Sequence, residues 1–557
     1  MRDVSAYETP TYDAQIDLDL SRNEGNSPAE ELIASLDDPA RLIQRYPDTG
    51  TLREQIADLH GLEPDRVLVT AGGDDALFRC FLAFTHEDGE VLSTYPTFEM
   101  ISRYAEQRGT RLSQAQWWDG GFPLEELSSL VTDDTEAIFV VSPNNPTGQV
   151  ATADDLIQLA ARVPLLVLDA AYTEFADIDL TPVALELKNA VVVRTLSKAY
   201  GLAGLRVGYL LGPASLVSAI SAYGSPYSVS ALSAGIASAR LRRPRAELTD
   251  IVREVRRERS DLISSLAGLG FEVKGSQANF VLASTPSTPW VAEAAASLGV
   301  ALRTFPGREG LERSIRITLP GERARFDRLI RTLEVVMAPQ ALLFDLDGVL
   351  ADVSKSQTRA IVETALDFGV EVTPEHVAVM KAAGHANDDW VLTHRLITDQ
   401  GVDVGLDEVT ASYETRYQGK SGNPGLKAEE SLLVEPARWR RWGRSFPLAV
   451  VTGRPRSDAE EFLDRFGLLE TLDALVTRED GPLKPEPAPI SKALSLLGVS
   501  RAWMVGDTID DVASARRAGV VPIGVIAPGD DPIKTRETLK GAARVLDDVN
   551  ELEELLP

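Results

Sequence analysis

Two sets of residues in this 557-residue chain have the types and spacing for chemistry, one set at an amino group and the other at a phosphate ester. Lys198 follows an apolar run in Thr-Leu-Ser-Lys, and Asp169 ends another such run. A lysine amine can hold a carbonyl cofactor covalently, and a carboxylate can hold the proton of a pyridine nitrogen. Asp345 and Asp347 lie two residues apart after the apolar run Ala341–Phe344, so both carboxylates enter one loop mouth. One carboxylate can attack phosphorus while the other transfers a proton at the ester oxygen.

The residues around this lysine fit a pyridoxal phosphate. Tyr172 and Asn145, the latter in Ser-Pro-Asn-Asn-Pro-Thr-Gly, can reach the ring hydroxyl, and Phe98 can stack on the ring. Gly73 and Asp74 open a helix after an apolar strand, and backbone amides at a helix N-terminus bind phosphate. A hydroxyl and a cation would complete that anion site, and these are Ser197 and Arg206.

The residues around the aspartate pair fit a magnesium-assisted phosphate transfer. Thr452 ends an apolar strand and can hydrogen-bond the transferring phosphoryl group, and Lys484 supplies a cation. Mg²⁺ prefers oxygen ligands, and Gly-Asp-Thr-Ile-Asp-Asp adds two carboxylates to the aspartate pair. The predicted ligands are four carboxylates: Asp345, Asp347, Asp507 and Asp511. Each residue alone is typical of a turn, a helix start or a solvated surface, so their order along the chain is what indicates a site.

Short apolar runs that alternate with helical patterns must position these residues. Such alternation predicts an α/β fold with a largely parallel sheet, whose ligand lies at the carboxyl ends of the strands. The strands predicted in the first half are 67–70, 137–142, 165–169 and 191–195. The alternation starts again at Ala341–Phe344, after a junction at 337–340, and a surface helix is predicted at 551–556.

The composition limits the partners and the compartment. The formal net charge is -28 at pH 7, and such a field repels nucleic acid and anionic membranes. The single cysteine, Cys80, excludes an intramolecular disulfide and a multi-cysteine zinc site. No stretch reads as a membrane span, and the N-terminus has no signal-peptide pattern. We therefore expect a cytoplasmic protein that acts on small molecules and binds neither nucleic acid nor a membrane.

The first set of motifs resembles the fold-type I aminotransferases, and most closely the histidinol-phosphate aminotransferase family, over about residues 15–336. The resemblance implies a pyridoxal-phosphate enzyme with the cofactor roles given above, and two substrate arginines, Arg303 and Arg316. Tyr46, in Arg-Tyr-Pro, matches a tyrosine that contacts the cofactor phosphate of the neighbouring subunit, which implies a homodimer. The implied domain is 1–338, with a small lobe at about 1–40 and 246–338 and a large lobe at about 41–245.

The second set contains, in order, all four motifs of the haloacid-dehalogenase superfamily across residues 341–557. The resemblance implies a Rossmann-like hydrolase domain with an inserted helical cap at about 353–435. The acid at Asp347 favours a phosphatase over a dehalogenase, because an alkoxide leaving group needs a proton. In this superfamily the cap selects the substrate, and Lys381 and the stretch 384–390 suit a small polar phosphate ester.

Together the resemblances imply a bifunctional enzyme. It would transaminate imidazole-acetol phosphate to L-histidinol phosphate with glutamate as donor, and then hydrolyse the ester to histidinol with Mg²⁺. Ala170 replaces the usual glutamate after Asp169, the run 318–320 departs from the family pattern, and histidinol phosphatases of this superfamily are mostly capless with a zinc loop. Three alternatives therefore stay open: an aminotransferase for another phosphorylated or specialised keto substrate, an enzyme like threonine-phosphate decarboxylase, and a chain in which one half has lost catalysis. In the first two, the phosphatase would act on the product.

Overall fold

The computed structural model describes residues 11–26, 31–36, 38–382, 384, 388–420 and 422–556. These residues fall into two compact units. The first comprises residues within 20–288 and 302–328, and the second comprises residues within 11–19, 289–301 and 329–557. In the part of the chain that the structure describes, no helix is long and apolar enough to cross a membrane.

The first unit is built on a seven-stranded sheet. Six strands run in one direction, and Gly208–Leu211 runs antiparallel to both of its neighbours. The central strands are almost wholly buried, as expected for a parallel sheet covered on both faces. The order across the sheet is Val67–Thr70, Gly208–Leu211, Ala190–Thr195, Leu166–Asp169, Thr135–Val141, Glu90–Tyr95 and Arg111–Gln116.

Helices pack on this sheet through their apolar faces. Phe81, in the helix Gly72–Phe84, stacks on Phe139 of the sheet with 4.2 Å between ring centroids. The helices of this unit are Glu31–Ala34, Pro39–Gln44, Gly50–His60, Gly72–Phe84, Glu99–Arg108, Leu124–Leu130, Ala153–Ala160, Thr181–Glu186, Ala214–Ser221, Ala231–Arg242 and Arg245–Gly268. The helix Arg323–Met337 begins in this unit and ends in the second.

A smaller antiparallel sheet completes the first unit. Its strands are, in order, Arg303–Thr304, Ser314–Thr318, Phe280–Ser284 and Glu272–Val273. The register sets Arg303 opposite Arg316. Directly opposed residues of an antiparallel pair point to the same face, so the two predicted substrate arginines share one face of this sheet.

The second unit is built on a six-stranded, fully parallel sheet. Its strands are, in order, Ala474–Val476, Leu448–Val451, Ala341–Phe344, Ala502–Gly506, Val521–Val525 and Val545–Leu546. Its α-helices outside the predicted cap are Thr288–Ser297, which lies in this unit from Pro289 onward, and Pro436–Ser445, Arg456–Arg465, Ala488–Leu497, Ile509–Arg517 and Pro532–Thr538. The α/β fold class predicted from the sequence is confirmed.

Four helices follow the first strand of this sheet, within the segment predicted as a cap. They are Gln357–Asp367, Pro374–Ala382, Asp389–Thr398 and Leu406–Tyr417. They enclose an apolar cluster of their own, which includes Ile361, Leu392 and Tyr413. A short antiparallel pair, Ala351–Asp352 with Ser431–Leu432, joins the two ends of the segment.

The second unit also contains residues that precede the junction. Trp290 packs edge to face against Trp503 of the six-stranded sheet, with ring centroids 4.8 Å apart. The Trp503 indole donates a hydrogen bond to the Val335 carbonyl at 2.9 Å. Near the C-terminal side of the unit, where a surface helix was predicted at 551–556, a 3₁₀ helix occupies Val549–Glu554, and its Leu552 is buried.

Two candidate active sites

The first candidate site lies where two parallel strands of the seven-stranded sheet end. Lys198 follows one strand by three residues, and its Nζ donates a hydrogen bond to the Asn23 carbonyl at 2.9 Å. The amine lies 5.7 Å from the centre of the Tyr172 ring. Burial, aided by the Arg316 guanidinium, lowers the pKa of Lys198 to about 8. Near neutral pH more of the amine is therefore in the neutral form, which is the form that attacks a carbonyl carbon.

Asp169 ends the neighbouring strand and fits the nitrogen of a pyridine ring. The residue is 6% exposed, and its carboxylate accepts a hydrogen bond from the Ala171 N–H at 3.1 Å. Within the described residues no lysine, arginine or histidine forms an ion pair with it. Burial raises the pKa of Asp169 to about 7. A buried carboxylate without a cation is suited to hold a protonated ring nitrogen.

A chain of hydrogen bonds connects the predicted ring-hydroxyl donors to a substrate arginine. The Tyr172 hydroxyl accepts from the side-chain amides of Asn23 at 3.2 Å and Asn145 at 3.4 Å. Arg316 donates to Asn145 Oδ1 at 2.8 Å and to the Ser21 carbonyl at 2.7 Å. All five residues are buried, so the protein itself fixes these side chains in place.

The predicted phosphate residues also converge. Gly73 and Asp74 lie in the first turn of the helix after the strand Val67–Thr70. A Cβ atom on Gly72 would lie 2.8 Å from the Arg206 guanidinium, which donates to Asp74 Oδ2 at 2.8 Å. The missing side chain thus lets an arginine approach a helix N-terminus, and this combination binds phosphate. The residue next to the lysine, Ser197, is buried and accepts a hydrogen bond from the Thr195 hydroxyl.

Three residues predicted for this site contact groups other than those described above. Phe98 is half-buried and packs against the apolar core of the unit. Arg303 lies 3.9 Å from a carboxylate oxygen of Glu99. Tyr46 is 81% exposed and stacks on Tyr227, with ring centroids 4.7 Å apart.

Sequence reasoning gave no role in the site to Asn23. Besides its contacts with Lys198 and Tyr172, it accepts a hydrogen bond from the Thr318 hydroxyl at 2.8 Å. Its φ of 56° lies in the left-handed region, which asparagine tolerates. A Cβ atom on Gly25 would lie 1.9 Å from the Lys198 carbonyl oxygen, so this segment passes directly over the lysine. The run Arg-Asn-Glu-Gly is the signal that marks the segment in the sequence.

The second candidate site lies at the carboxyl ends of neighbouring strands in the six-stranded sheet. Asp345 follows the strand Ala341–Phe344, and its Oδ1 lies 2.8 Å from Lys484 Nζ. The same amine is 2.5 Å from Asp511 Oδ1. Burial, with the nearby carboxylates, raises the pKa of Asp345 to about 7 despite the lysine. The site therefore has more buried negative charge than Lys484 offsets.

Three of the predicted metal ligands lie together. One carboxylate oxygen each from Asp345, Asp507 and Asp511 falls within 4.8 Å of the others. A Cβ atom on Gly348 would lie 2.1 Å from Asp507 Oδ2, so the glycine makes room for this carboxylate. Among the described residues, no lysine, arginine or histidine forms an ion pair with Asp507, and burial raises its pKa. Such a set of oxygens fits Mg²⁺.

Asp511 differs from the other two because both of its oxygens already have donors. Lys484 donates to Oδ1, and the Thr508 hydroxyl donates to Oδ2 at 2.6 Å. The pair Thr508–Asp511 also caps the helix Ile509–Arg517. We therefore expect Asp345 and Asp507 to contact a metal most directly, with Asp511 orienting Lys484.

The carboxylate of Asp347 lies outside this trio. Arg454 Nε donates to Asp347 Oδ1 at 2.6 Å. Burial alone would raise the pKa of Asp347, but Arg454 and a hydrogen bond from Gln357 hold it below its usual range. Thr452 is buried, and its hydroxyl accepts from the Arg454 backbone N–H at 3.1 Å. Sequence reasoning gave no role to Arg454, which lies two residues after Thr452 in the run Thr-Gly-Arg-Pro.

A cleft lies between these residues and the cap helices. Its cap side includes Lys381, Trp390 and Glu414, and the Trp390 indole donates to Glu414 Oε1 at 2.8 Å. Arg478 lies over the Trp390 ring, 3.9 Å from its centre. Residues 385–387 of the predicted cap stretch lie outside the described residues. On the cap side of the cleft, the residues that the structure describes are polar and aromatic, and such a lining suits a small polar ester.

Comparison with known families matches both halves of the chain. Residues 15–333 match the family "Aminotransferase class I and II", and residues 339–519 match the family "haloacid dehalogenase-like hydrolase". These matches confirm both resemblances drawn from the sequence.

The chain is similar to several curated proteins. An aromatic amino acid aminotransferase of Corynebacterium jeikeium is 36% identical over 57% of this chain and 88% of its own length. A histidinol-phosphate aminotransferase of Thermoanaerobacter pseudethanolicus is 31% identical over 59% of this chain and 95% of its own length. An imidazoleglycerol-phosphate dehydratase of Phytophthora nicotianae is 47% identical over 197 residues, which are 34% of this chain and 44% of that relative. The chain thus spans less than half of the Phytophthora relative.

Solved structures share the fold. The histidinol-phosphate aminotransferase of Sinorhizobium meliloti, in complex with pyridoxal-5'-phosphate, has a TM-score of 0.53 at 24% identity, covering 58% of this chain and 91% of its own. The L-threonine-O-3-phosphate decarboxylase of Porphyromonas gingivalis has a TM-score of 0.50 at 24% identity, covering 57% of this chain and 98% of its own. With the family match, these likenesses establish the fold-type I architecture of the first half. The chain belongs to the class I and II aminotransferase family and continues into a haloacid dehalogenase-like hydrolase domain.

Proposed function

We propose that this chain catalyses two consecutive steps on one carbon skeleton. It transfers an amino group from glutamate to imidazole-acetol phosphate, and it then hydrolyses the product, histidinol phosphate, to histidinol. The observation that carries the proposal is the covalent union of an aminotransferase with a phosphate-ester hydrolase domain. A phosphorylated amine is the molecule that the first chemistry can make and the second can consume. Relatives named histidinol-phosphate aminotransferase support this substrate.

The Phytophthora relative supports the same substrate from a different direction. It is named an imidazoleglycerol-phosphate dehydratase. Removal of water from the diol of imidazoleglycerol phosphate leaves a ketone, imidazole-acetol phosphate. That ketone is the amino acceptor in our proposal. The reaction in the name of this relative therefore makes the substrate that we propose for the aminotransferase half.

In the aminotransferase half, a bound pyridoxal phosphate would supply an electron sink and carry the amino group between substrates. Lys198 would hold it covalently, and Asp169 would hold its ring nitrogen in the protonated form. Tyr172 and Asn145 would bind the ring hydroxyl and keep the ring in one plane. The Lys198 amine would also move the substrate proton, first as general base and then as general acid. Arg316 would bind an oxyanion of the substrate with its planar fork.

The phosphate of the cofactor would bind at the start of the helix Gly72–Phe84. The Gly73 and Asp74 amides, the Ser197 hydroxyl and the Arg206 guanidinium would be its donors. Arg206 now pairs with the Asp74 carboxylate, and that pair is half-exposed. We expect the cofactor phosphate to replace the Asp74 carboxylate as the partner of Arg206, because a dianion attracts a guanidinium more strongly than one carboxylate does.

In the hydrolase half, Asp345 would attack phosphorus while the ester P–O bond breaks. The negative charge of the bound ester would favour protonation of Asp347, and Asp347 would then donate that proton to the departing alkoxide oxygen. Water would then attack phosphorus, Asp347 would take the water proton, and the bond between Asp345 and phosphorus would break to release inorganic phosphate. Lys484 and Thr452 would orient the phosphoryl oxygens. Mg²⁺, held by Asp345 and Asp507 when bound, would offset the gathering negative charge.

We further propose a homodimer in which Tyr46 reaches the cofactor phosphate of the other subunit. Its ring is 81% exposed and stacks on Tyr227, which is itself 61% exposed. Ile33 and Ile43, in the two helices just before Tyr46, are also exposed. A surface with this many exposed apolar side chains is suited to be covered by a second copy.

A second candidate function is amino transfer to aromatic keto acids. The observation in its favour is the Corynebacterium relative, which is named an aromatic amino acid aminotransferase and is 36% identical. The products of that reaction have no phosphate ester, so this candidate gives the hydrolase half no substrate. We therefore rank it second.

The test is to incubate the purified full chain with imidazole-acetol phosphate, glutamate, pyridoxal phosphate and Mg²⁺. We expect one equivalent each of 2-oxoglutarate, histidinol and inorganic phosphate, measured by mass spectrometry and a phosphate assay. Lys198→Ala should leave the ketone unconsumed but still hydrolyse added histidinol phosphate. Asp345→Asn should stop the reaction at histidinol phosphate.

Two outcomes would contradict this substrate. One is turnover of phenylpyruvate with no turnover of imidazole-acetol phosphate, which favours the second candidate. The other is accumulation of histidinol phosphate in the presence of Mg²⁺ by a chain that hydrolyses other esters.

A further inference from the structure

Arg454 lies between the Asp347 carboxylate and the chain that returns from the cap. Its Nε donates to Asp347 Oδ1 at 2.6 Å, and its NH1 donates to Glu430 Oε2 at 3.0 Å. The residue is 5% exposed, and the guanidinium lies 5.5 Å from the centre of the Phe462 ring. A planar guanidinium held at two edges and against a ring has one orientation, and it imposes one orientation on the bound carboxylate.

Glu430 accepts hydrogen bonds from a residue just before the first cap helix and from a residue at the end of the last one. Its Oε1 accepts hydrogen bonds from the Ser356 hydroxyl and the Tyr417 hydroxyl, each at 2.9 Å. Ser356 directly precedes the first cap helix, Tyr417 ends the last one, and Glu430 directly precedes the returning strand Ser431–Leu432. All three residues are buried. One network thus connects the Asp347 carboxylate to both crossings between core and cap.

We propose that Arg454 is a positioning residue for proton transfer by Asp347, and that Glu430 makes this positioning depend on the cap. The inference rests on the phosphate-ester hydrolysis proposed above. Arg454 forms and breaks no covalent bond. One proton moves from Asp347 to the ester oxygen as the P–O bond breaks, and it leaves with the alcohol. In the second step the attacking water gives a proton to Asp347. A carboxylate that is turned away slows the transfers that need its proton.

A purely structural role for the same network predicts different kinetics. Arg454 pairs with the buried carboxylate of Glu430 and the partly buried carboxylate of Asp347. Its loss could therefore destabilise the domain and reduce activity toward every substrate equally. A positioning role depends on the leaving group instead. An alkoxide needs a proton to depart, whereas p-nitrophenolate is a stable anion at neutral pH and departs without one.

The experiment compares an alkyl and an aryl phosphate ester in full-length variants. The alkyl ester is histidinol phosphate, or the best alkyl phosphate of a wild-type screen, and the aryl ester is p-nitrophenyl phosphate. Asp347→Asn should lower kcat/KM for the alkyl ester by about 10²–10⁴-fold and much less for the aryl ester, since general acid catalysis contributes about that factor. We expect Arg454→Gln to give the same pattern, with an alkyl loss of about 10–10³-fold and an aryl loss below about tenfold. In the double variant, Arg454→Gln should add little to the alkyl loss caused by Asp347→Asn.

Two further variants control for folding and for general charge effects. Glu430→Gln keeps the volume of the side chain. It should also lower the activity on the alkyl ester more than that on the aryl ester, but by a smaller factor than Arg454→Gln does. It carries the test if Arg454→Gln does not fold, as judged by thermal unfolding. Arg456→Gln is the matched control, because Arg456 is two residues away and pairs with Asp480 at 2.7 Å. It should change the two ester activities equally or not at all.

Equal losses on both esters in folded Arg454→Gln or Glu430→Gln would overturn the inference, as would additive losses in the double variant. A wild type that hydrolyses no phosphate ester would refute the proposed function and this inference together. A wild type that hydrolyses other alkyl phosphates but not histidinol phosphate would refute only the proposed substrate. In that case the comparison of leaving groups still decides the role of Arg454.

Discussion

The lowered pKa of Lys198 predicts the pH at which this amine becomes reactive. Burial is the main cause, and the Arg316 guanidinium adds to it, so the pKa falls to about 8 from the ordinary value of 10.5. At pH 7.4 the neutral fraction of such an amine is about 0.2, against about 0.0008 for an ordinary lysine. The neutral fraction of Lys198 at this pH is therefore roughly 250-fold larger than that of a lysine with the ordinary pKa, and its reaction with a carbonyl should be faster in proportion.

The assay is competitive labelling of the cofactor-free full chain with trace acetic anhydride across pH 6 to 11. Mass spectrometry then reports the labelled fraction of the peptide that contains Lys198. We expect labelling to rise through a midpoint near pH 8, because a lysine whose pKa is lowered loses its proton at a lower pH. Exposed lysines such as Lys534, whose side chain is 85% exposed, serve as internal references in the same digest.

Two variants test the electrostatic cause, because they should move the midpoint in opposite directions. Arg316 lowers the pKa of Lys198 and the Asp74 carboxylate raises it. Arg316→Gln should therefore shift the midpoint upward, and Asp74→Asn should shift it downward. A wild-type midpoint near 10.5, or shifts of the same sign in both variants, would refute this account of the site.

Three further predictions concern other parts of the molecule. Asn23→Ala removes side-chain hydrogen bonds to Tyr172 and Thr318, so titration with pyridoxal phosphate should show an affinity about tenfold lower, as expected for about 1–1.5 kcal/mol. Asp507→Asn should lower Mg²⁺ affinity in calorimetric titrations by about 100-fold or more and leave pyridoxal phosphate binding unchanged. Trp503→Ala should destabilise the second unit by about 3–5 kcal/mol, measured by urea unfolding, because the indole is 1% exposed and packs against Trp290.

The parts of the two sites that follow strands could be predicted from the sequence. Asp169, Lys198, Asp345 and Thr452 each come at or just after the end of a buried strand. The carboxyl ends of parallel strands meet at one edge of a sheet, so a sequence that reveals the strands also reveals the neighbours. The predicted strands 67–70 and 341–344 have the observed bounds. The others differ by one or two residues at an end, as with 137–142 against Thr135–Val141, because the pattern does not show where pairing stops.

The site residues that were not predicted contact their partners only because the fold brings distant parts of the chain together. Asn23 reaches Lys198 across 175 residues of sequence, and Arg454 reaches Asp347 across 107. The runs Arg-Asn-Glu-Gly and Thr-Gly-Arg-Pro mark the two segments in the sequence, but neither run shows which distant residue it contacts. Their positions depend on packing between elements, as with Gly25, where any side chain would collide with the Lys198 carbonyl. A single sequence does not contain that packing in a local pattern.

The physical division of the chain differs from the division between its two families, and this decides how the halves should be studied. The family matches end at residue 333 and begin again at residue 339, yet Trp290, in the first match, and Val335, between the two matches, both contact Trp503 of the second unit. A fragment that begins at residue 339 would expose the Trp503 indole and leave its N–H without the Val335 carbonyl. Loss of those contacts removes buried apolar surface and one hydrogen bond, so inactivity of such a fragment would report misfolding as readily as missing chemistry. Single substitutions in the full chain, Lys198→Ala for one half and Asp345→Asn for the other, separate the two chemistries without opening this core.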